Sequence, residues 1–352
     1  TDWYIDQMKM KTYKSDGLPI SFNHQQYVAD NRDVIIFNKK VDSRWDLKDF
    51  IEFGKREDTL SQVEMESGHR LHFFPTNKVR FQVDKKNVIA NKIVNPALND
   101  SIVSFIDIDI KGGALYKNRL IMLDILKNNK WKRPIYFSPG SFGDDDYLWM
   151  KDYLQMDGMV YKLVPIKTPV NEDDYPDMGR LDTDKMYQLA MHWFWGNGES
   201  TKIYHDPETR RNAISYRTNL SRLTKQLIAE GKLAKAKKII DLAVTKTPVD
   251  YYGYYLTLEP FVSGYYEIGQ KEKARELVGK LMNKYKEELL YYSTFTFADQ
   301  SFMAEDIVRA IERYRSLLQV IKEHGDIELY NKSRGEFNAS NGRFSRFQRE
   351  NE

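Results

Sequence analysis

Two periodicities divide the chain. Through about residue 167, short apolar runs alternate with stretches of helical spacing, whereas from about residue 206 to residue 324 a helical period dominates. In the first part, Val34-Ile35-Ile36-Phe37 reads as a buried strand and Val79 to Val83 alternates like a half-buried one. Asp46 stands where a helix cap belongs, ahead of Leu47, Phe50 and Ile51, and that helix is expected to end near Gly54. Ile102 to Ile110, Leu115 to Asn128 and Pro134 to Phe137 follow as strand, helix and strand. A further helix is expected from Asp144 to about Gln155, and a strand from Met159 to Val164. This alternation predicts an α/β domain over 1–167 built on a Rossmann-like open sheet covered by helices.

Residues 168–182 carry turn formers and no apolar period, so 168–205 is expected to be a linker and junction helix. Over 206–330 two segments resemble each other. Gly231 and Ala236 in Leu227 to Ile240 recur as Gly269 and Ala274 in Tyr265 to Val278. In tetratricopeptide repeats, glycine opens the turn and a small residue lets two helices approach closely. Leu220, Leu223, Leu227, Ile240 and Ala243, with Pro248 after them, fit a first copy. A second is expected around Leu258, Phe261, Val278 and Leu281, and a third helix pair through Ile307 to Glu323. The expected fold is therefore α/β plus all-α, the helical part tetratricopeptide-like. Residues 331–352 read as a polar tail.

Composition narrows the function classes. Of 352 residues, 54 are basic and 51 acidic, a net charge of +3 that gives no field for nucleic acid. No stretch approaches the ~18 apolar residues that a membrane-spanning helix needs. The absence of cysteine excludes disulfides and thiolate chemistry. Aromatic content of 13% is accounted for first by core packing, with groove-lining and carbohydrate-facing roles left open.

Candidate chemistry is sparse. Asp107 and Asp109 share one strand face and form a possible carboxylate pair. Asp144, Asp145 and Asp146 either cap the helix that follows them or hold a divalent cation, and capping is the simpler reading. Whether any metal binds is left open. Trp193, Phe194 and Trp195 form an aromatic cluster that suits inter-domain packing at the junction, or stacking on sugar rings or on a membrane surface. His69 and His72 fall on opposite faces of a strand. No phosphate-binding glycine loop or nucleophile elbow is present, so no cofactor and no catalytic residue is assigned.

Thr1 to Met8, Leu18-Pro19-Ile20-Ser21-Phe22, Arg32-Asp33-Val34, Phe105 to Asp109, Trp131 to Phe137 and Asp144 to Leu148 resemble the C-terminal half of domain-of-unknown-function family 2723 proteins. These large Gram-negative membrane proteins are similar to protein O-mannosyltransferases, and the resemblance covers the chain to about residue 290. It implies a soluble part on the periplasmic side, attached to a membrane domain of GT-C type that carries the transfer centre. The expected partners are that N-terminal membrane domain and an acceptor protein. The function implied is an accessory one, positioning the acceptor or bracing the membrane part. The alternative is a free-standing enzyme with an acidic, metal-dependent site. In that family the segment ahead of the position of Thr1 reads as a strand, and whether such a strand has been removed here is left open.

Overall fold

A computed structural model describes residues 2–38, 41–66, 68–138, 149–170, 178–200 and 202–348. The chain divides into two compact units, Thr1–Asp182 and Thr183–Glu352. The first is α/β and the second largely helical, in the order that the two periodicities predict.

In the first unit the strands are β1 (Val34–Phe37), β2 (Trp45–Asp46), β3 (Gln62–Glu64), β4 (Arg70–Phe74), β5 (Lys78–Gln82), β6 (Phe105–Asp109), β7 (Ala114–Tyr116), β8 (Tyr136–Phe137), β9 (Leu154–Asp157), β10 (Val160–Leu163) and β11 (Arg180–Leu181). Among the described residues they form three small sheets, ordered β3-β4-β1-β7, β11-β9-β10-β8 and β2-β5-β6. The expected Rossmann-like open sheet is therefore corrected to several short mixed sheets. The reason is visible in β6, which buries Ile106 and Ile108 and turns Phe105, Asp107 and Asp109 outward. Such alternation suits an antiparallel strand with one wet face, not the near-continuous apolar run of a doubly covered parallel sheet. β6 pairs antiparallel with β5, and β8 lies in a different sheet, so the expected β-α-β unit does not close on one sheet.

The helices of this unit are α1 (Asp2–Lys9), α2 (Leu47–Gly54), α3 (Lys85–Ala90) and α4 (Lys117–Asn129). α2 begins as expected, the Asp46 carboxylate accepting from the Lys48 amide. Phe50 of α2 stacks on Phe74 of β4 at 3.7 Å, and Trp131 stacks on Phe81 at 5.3 Å, within a core that also holds Ile35, Leu115 and Leu123. Of the helix expected over 144–155, residues 144–148 lie outside the described residues, and the part from Trp149 on is corrected. Its described end is a short 3-10 turn, Lys151–Tyr153, and then β9. The sequence Asp157-Gly158 makes the difference, because a glycine at φ +72 closes the β9–β10 hairpin.

The second unit runs α5 (Thr183–Met191), α6 (Pro207–Ala229), α7 (Leu233–Lys246), α8 (Val249–Tyr252), α9 (Glu259–Glu267), α10 (Lys271–Ser293), α11 (Phe297–Phe302), α12 (Ala304–Glu323) and α13 (Ile327–Asn341). α6 packs on α7, α9 on α10 and α12 on α13. The three connections turn in the same way. Gly231, Gly269 and Gly325 all have positive φ, and the residue after each returns its amide to a carbonyl five residues back: Lys232 to Leu227, Gln270 to Tyr265, Asp326 to Ile321. Each adjacent helix pair buries a stripe, with Leu220, Leu223 and Leu227 facing Ala236 and Ile240 in the first. The segment expected to be a polar tail begins as α13, which buries Ser333 and Phe337. Tyr314 of α12 meets the Phe337 ring edge-on at 5.1 Å, which ties the helix down. No helix among the described residues is long and apolar enough to cross a membrane.

Candidate functional site

The acidic pair on β6 is already occupied. Asp107 accepts two bonds from the Arg80 guanidinium, at 2.7 and 2.9 Å, and lies 3.5 Å from Arg44, whose other end reaches Asp109 at 2.6 Å. The Arg80 hydrogen bonds hold the Asp107 carboxyl below the usual carboxylate range, partial burial opposing them and Arg44 assisting. A carboxylate fixed as an anion between two arginines is a poor proton donor or acceptor near neutral pH. Arg80 also covers the Phe105 ring at 3.7 Å, so the cluster stitches β5 to β6. Asp144, Asp145 and Asp146 lie outside the described residues. Among the described residues no group of three His, Asp or Glu side chains is placed to hold a metal ion.

Trp193 and Trp195 follow α5, and both rings pack on Tyr216 of α6, at 5.6 and 5.3 Å, as well as on each other at 5.7 Å. Phe194 between them is 97% exposed. Gly231 and Gly269 occupy the helix-pair turns, and Ala236 and Ala274 are fully buried in the second helices of those pairs. A further close approach between helices is at Gly264 of α9. A Cβ there would come within 3.0 Å of Ile240 and 3.2 Å of Thr224.

The feature that no sequence motif announced is a cleft of about 570 Å³ in the helical unit. One wall is Tyr254, Tyr255 and Leu256, from the turn between α8 and α9. The opposite wall is the last part of α10, with Lys284, Glu288 and Tyr291, while Arg313 of α12 and Ile214 of α6 complete it. The turn is held in an unusual conformation, since Tyr254 sits in the left-handed region at φ +48, directly after Gly253 at φ +64. Its support is Arg217 of α6, which is completely buried and has no carboxylate partner among the described residues. The guanidinium donates to the carbonyls of Thr247, Gly253 and Tyr254 and to the hydroxyls of Thr247 and Thr257. Burial pushes it down to about 10.

Several ionisable groups beside the cleft are displaced from their ordinary values. Burial raises the Glu288 carboxyl, and Arg313 pulls against it. Burial likewise raises Tyr255, whose ring meets Tyr285 edge-on at 6.0 Å. Behind Tyr285, burial raises Glu259 although Tyr285 and Ser316 both donate to it, at 2.7 and 3.1 Å. Lys284 is spoken for by Asp250 at 3.1 Å and Glu287 at 3.0 Å. Glu288 accepts no hydrogen bond among the described residues, and Arg313 makes no ion pair within 4.0 Å there. Displaced groups gathered at a cleft, beside a strained turn, mark a candidate binding site.

The model of the TMEM260-associated domain 2 family matches residues 1–185, which is more than half of the 352. The chain belongs to that family. The TMEM260-associated domain 2 match covers the α/β unit and the start of α5, whereas the cleft lies beyond it. Among curated proteins no match is found, and none among solved structures.

Proposed function

We propose that this chain is a recognition module of a membrane-bound, glycosyltransferase-like protein, working on the periplasmic side to hold an acceptor protein for a transfer centre elsewhere. The observation that carries this reading is the cleft of the helical unit, where tyrosines flank a carboxyl that accepts no hydrogen bond and a guanidinium that makes no ion pair among the described residues. The neutralised Asp107–Asp109 pair supports it from the other side, because the most conspicuous acidic candidate is committed to structure. The helix hairpins support it as well, since tetratricopeptide-like arrays bind extended partners along a groove. The resemblance to the O-mannosyltransferase-like membrane proteins supplies the wider setting.

The test incubates the isolated chain, and separately the full-length protein, with lipid-linked and nucleotide-linked sugar donors and acceptor proteins, and reads acceptor mass. Transfer is expected from the full-length protein alone. Turnover by the isolated chain that disappears in Asp107→Ala or Asp145→Ala would sink the reading in favour of a free-standing acidic enzyme.

A further inference from the structure

The cleft also carries information about what it holds. Its volume of about 570 Å³ falls in the ~300–1,000 Å³ range of small-ligand clefts, not in that of the broad surfaces that folded partners cover. Its charges balance. Lys284 and Arg313 face Glu287 and Glu288, and Lys284 already joins Glu287. A phosphate or carboxylate ligand would gain Arg313 only while approaching two carboxylates, and a cationic ligand would meet the reverse conflict. An uncharged ligand meets neither.

What remains for such a ligand is one acceptor, the half-buried Glu288 carboxyl, and one donor fork, the Arg313 guanidinium, on adjacent helices. A hydroxyl group donates and accepts at once, so neighbouring hydroxyls on one ring can satisfy both side chains together. The walls add a second requirement. Tyr254 and Tyr291 are 44% and 61% exposed, and they offer ring surface to a ligand that has an apolar face as well as a polar rim. A pyranose ring combines an uncharged polyol edge with a face of C–H groups.

We infer that the cleft between the Tyr254–Leu256 turn and the end of α10 binds a neutral saccharide, with Tyr291 stacking on the ring and Glu288 and Arg313 taking its hydroxyls. The inference rests on the reading of this cleft as a recognition site, and it makes the sugar already borne by an acceptor the feature that is recognised. Arg217 acts through the turn as a positioning residue, since it holds Tyr254 without lining the cleft.

The experiment titrates the 352-residue chain with a panel of neutral di- and trisaccharides, and in a second arm with short uncharged peptides, by calorimetry and ligand-observed NMR. At least one saccharide is expected to bind. Tyr291→Ala and Glu288→Gln are each expected to weaken it by about tenfold or more, whereas Phe302→Ala, an exposed residue outside the cleft, leaves it unchanged. Melting curves that overlay the parent's show that the variants are folded. Saccharide binding that ignores both cleft substitutions would overturn the assignment of the site. Peptide binding that is lost in Tyr291→Ala, with no saccharide bound, would overturn the ligand class and leave the recognition reading standing. Silence in both arms overturns both.

Discussion

Replacing Arg217 by Met tests how the cleft is held in shape. Methionine keeps most of the apolar stem and fills the space, so the change mainly removes five hydrogen bonds and a charge. The carbonyls of Thr247 and Gly253 take bonds of 2.7 and 2.6 Å from the guanidinium. Each buried carbonyl left without a donor costs about 1–3 kcal/mol. Against this stands relief from burying the charge, which already pushes the group down to about 10. The expected net loss is about 2–4 kcal/mol, read as a lower denaturant midpoint with an unchanged slope. A local effect should accompany it. Tyr254 occupies a left-handed conformation that costs a non-glycine residue about 1–2 kcal/mol, and without its brace the turn relaxes. Amide exchange at Thr257, which donates to the Tyr254 carbonyl, should therefore rise by about tenfold or more, while exchange in α6 and α7 changes only with global stability. Arg217→Lys should recover only part of the loss, because one ammonium cannot span Thr247 and Gly253 in the manner of a planar fork. A loss under about 1 kcal/mol, with Thr257 exchange unaltered, would refute the idea that Arg217 braces the turn.

Two further outcomes are expected. Ala236→Trp should destabilise the helical unit by about 3 kcal/mol or more, seen in its melting transition, because the side chain is fully buried where α7 packs on α6. Asp326→Asn should cost about 1–3 kcal/mol in denaturant unfolding, since it removes the charge that pairs with Arg275 and Lys271 and leaves one acceptor oxygen where two serve Arg275 and the Tyr266 hydroxyl. The Arg275 hydrogen bonds hold the Asp326 carboxyl well below its unfolded value of ~3.9, so its contribution is present above about pH 4 and drains away as pH falls towards the folded value. The Asn variant should lose that part of the acid dependence.

Much of the fold was written in short-range patterns. The α2 cap at Asp46, the strand over Val34–Phe37 and the Gly–Ala spacing of the first two helix pairs each depend on a few adjacent residues. The third pair was harder to read because Tyr330 stands five residues after Gly325, where the other two carry Ala236 and Ala274. The positive-φ glycine and its returning amide are nevertheless the same. Sheet order was illegible, since strands of two to five residues carry too little pattern to choose partners. The alternation around Asp107 and Asp109 held a usable hint, as it argued against a parallel centre. The cleft was missed because Ile214, Tyr254, Tyr291 and Arg313 come from four separate segments. The nearest local signal was the run Tyr251-Tyr252-Gly253-Tyr254-Tyr255, in which a lone glycine interrupts tyrosines.

The two carboxylates that join neighbouring hairpins have a mechanical meaning. Asp241 of α7 takes the Tyr265 hydroxyl and the Lys273 ammonium, and Asp326, just before α13, takes the Tyr266 hydroxyl and the Arg275 guanidinium. The middle hairpin thus supplies a tyrosine and a cation to each side, as one clasp with two jaws. Its neighbours also pack on it along apolar seams, and the clasps add directional bonds at both seams. The three hairpins are consequently joined by charged bonds at two points. Acid that opens both jaws would remove these directional bonds between hairpins and leave the apolar contacts as what joins them.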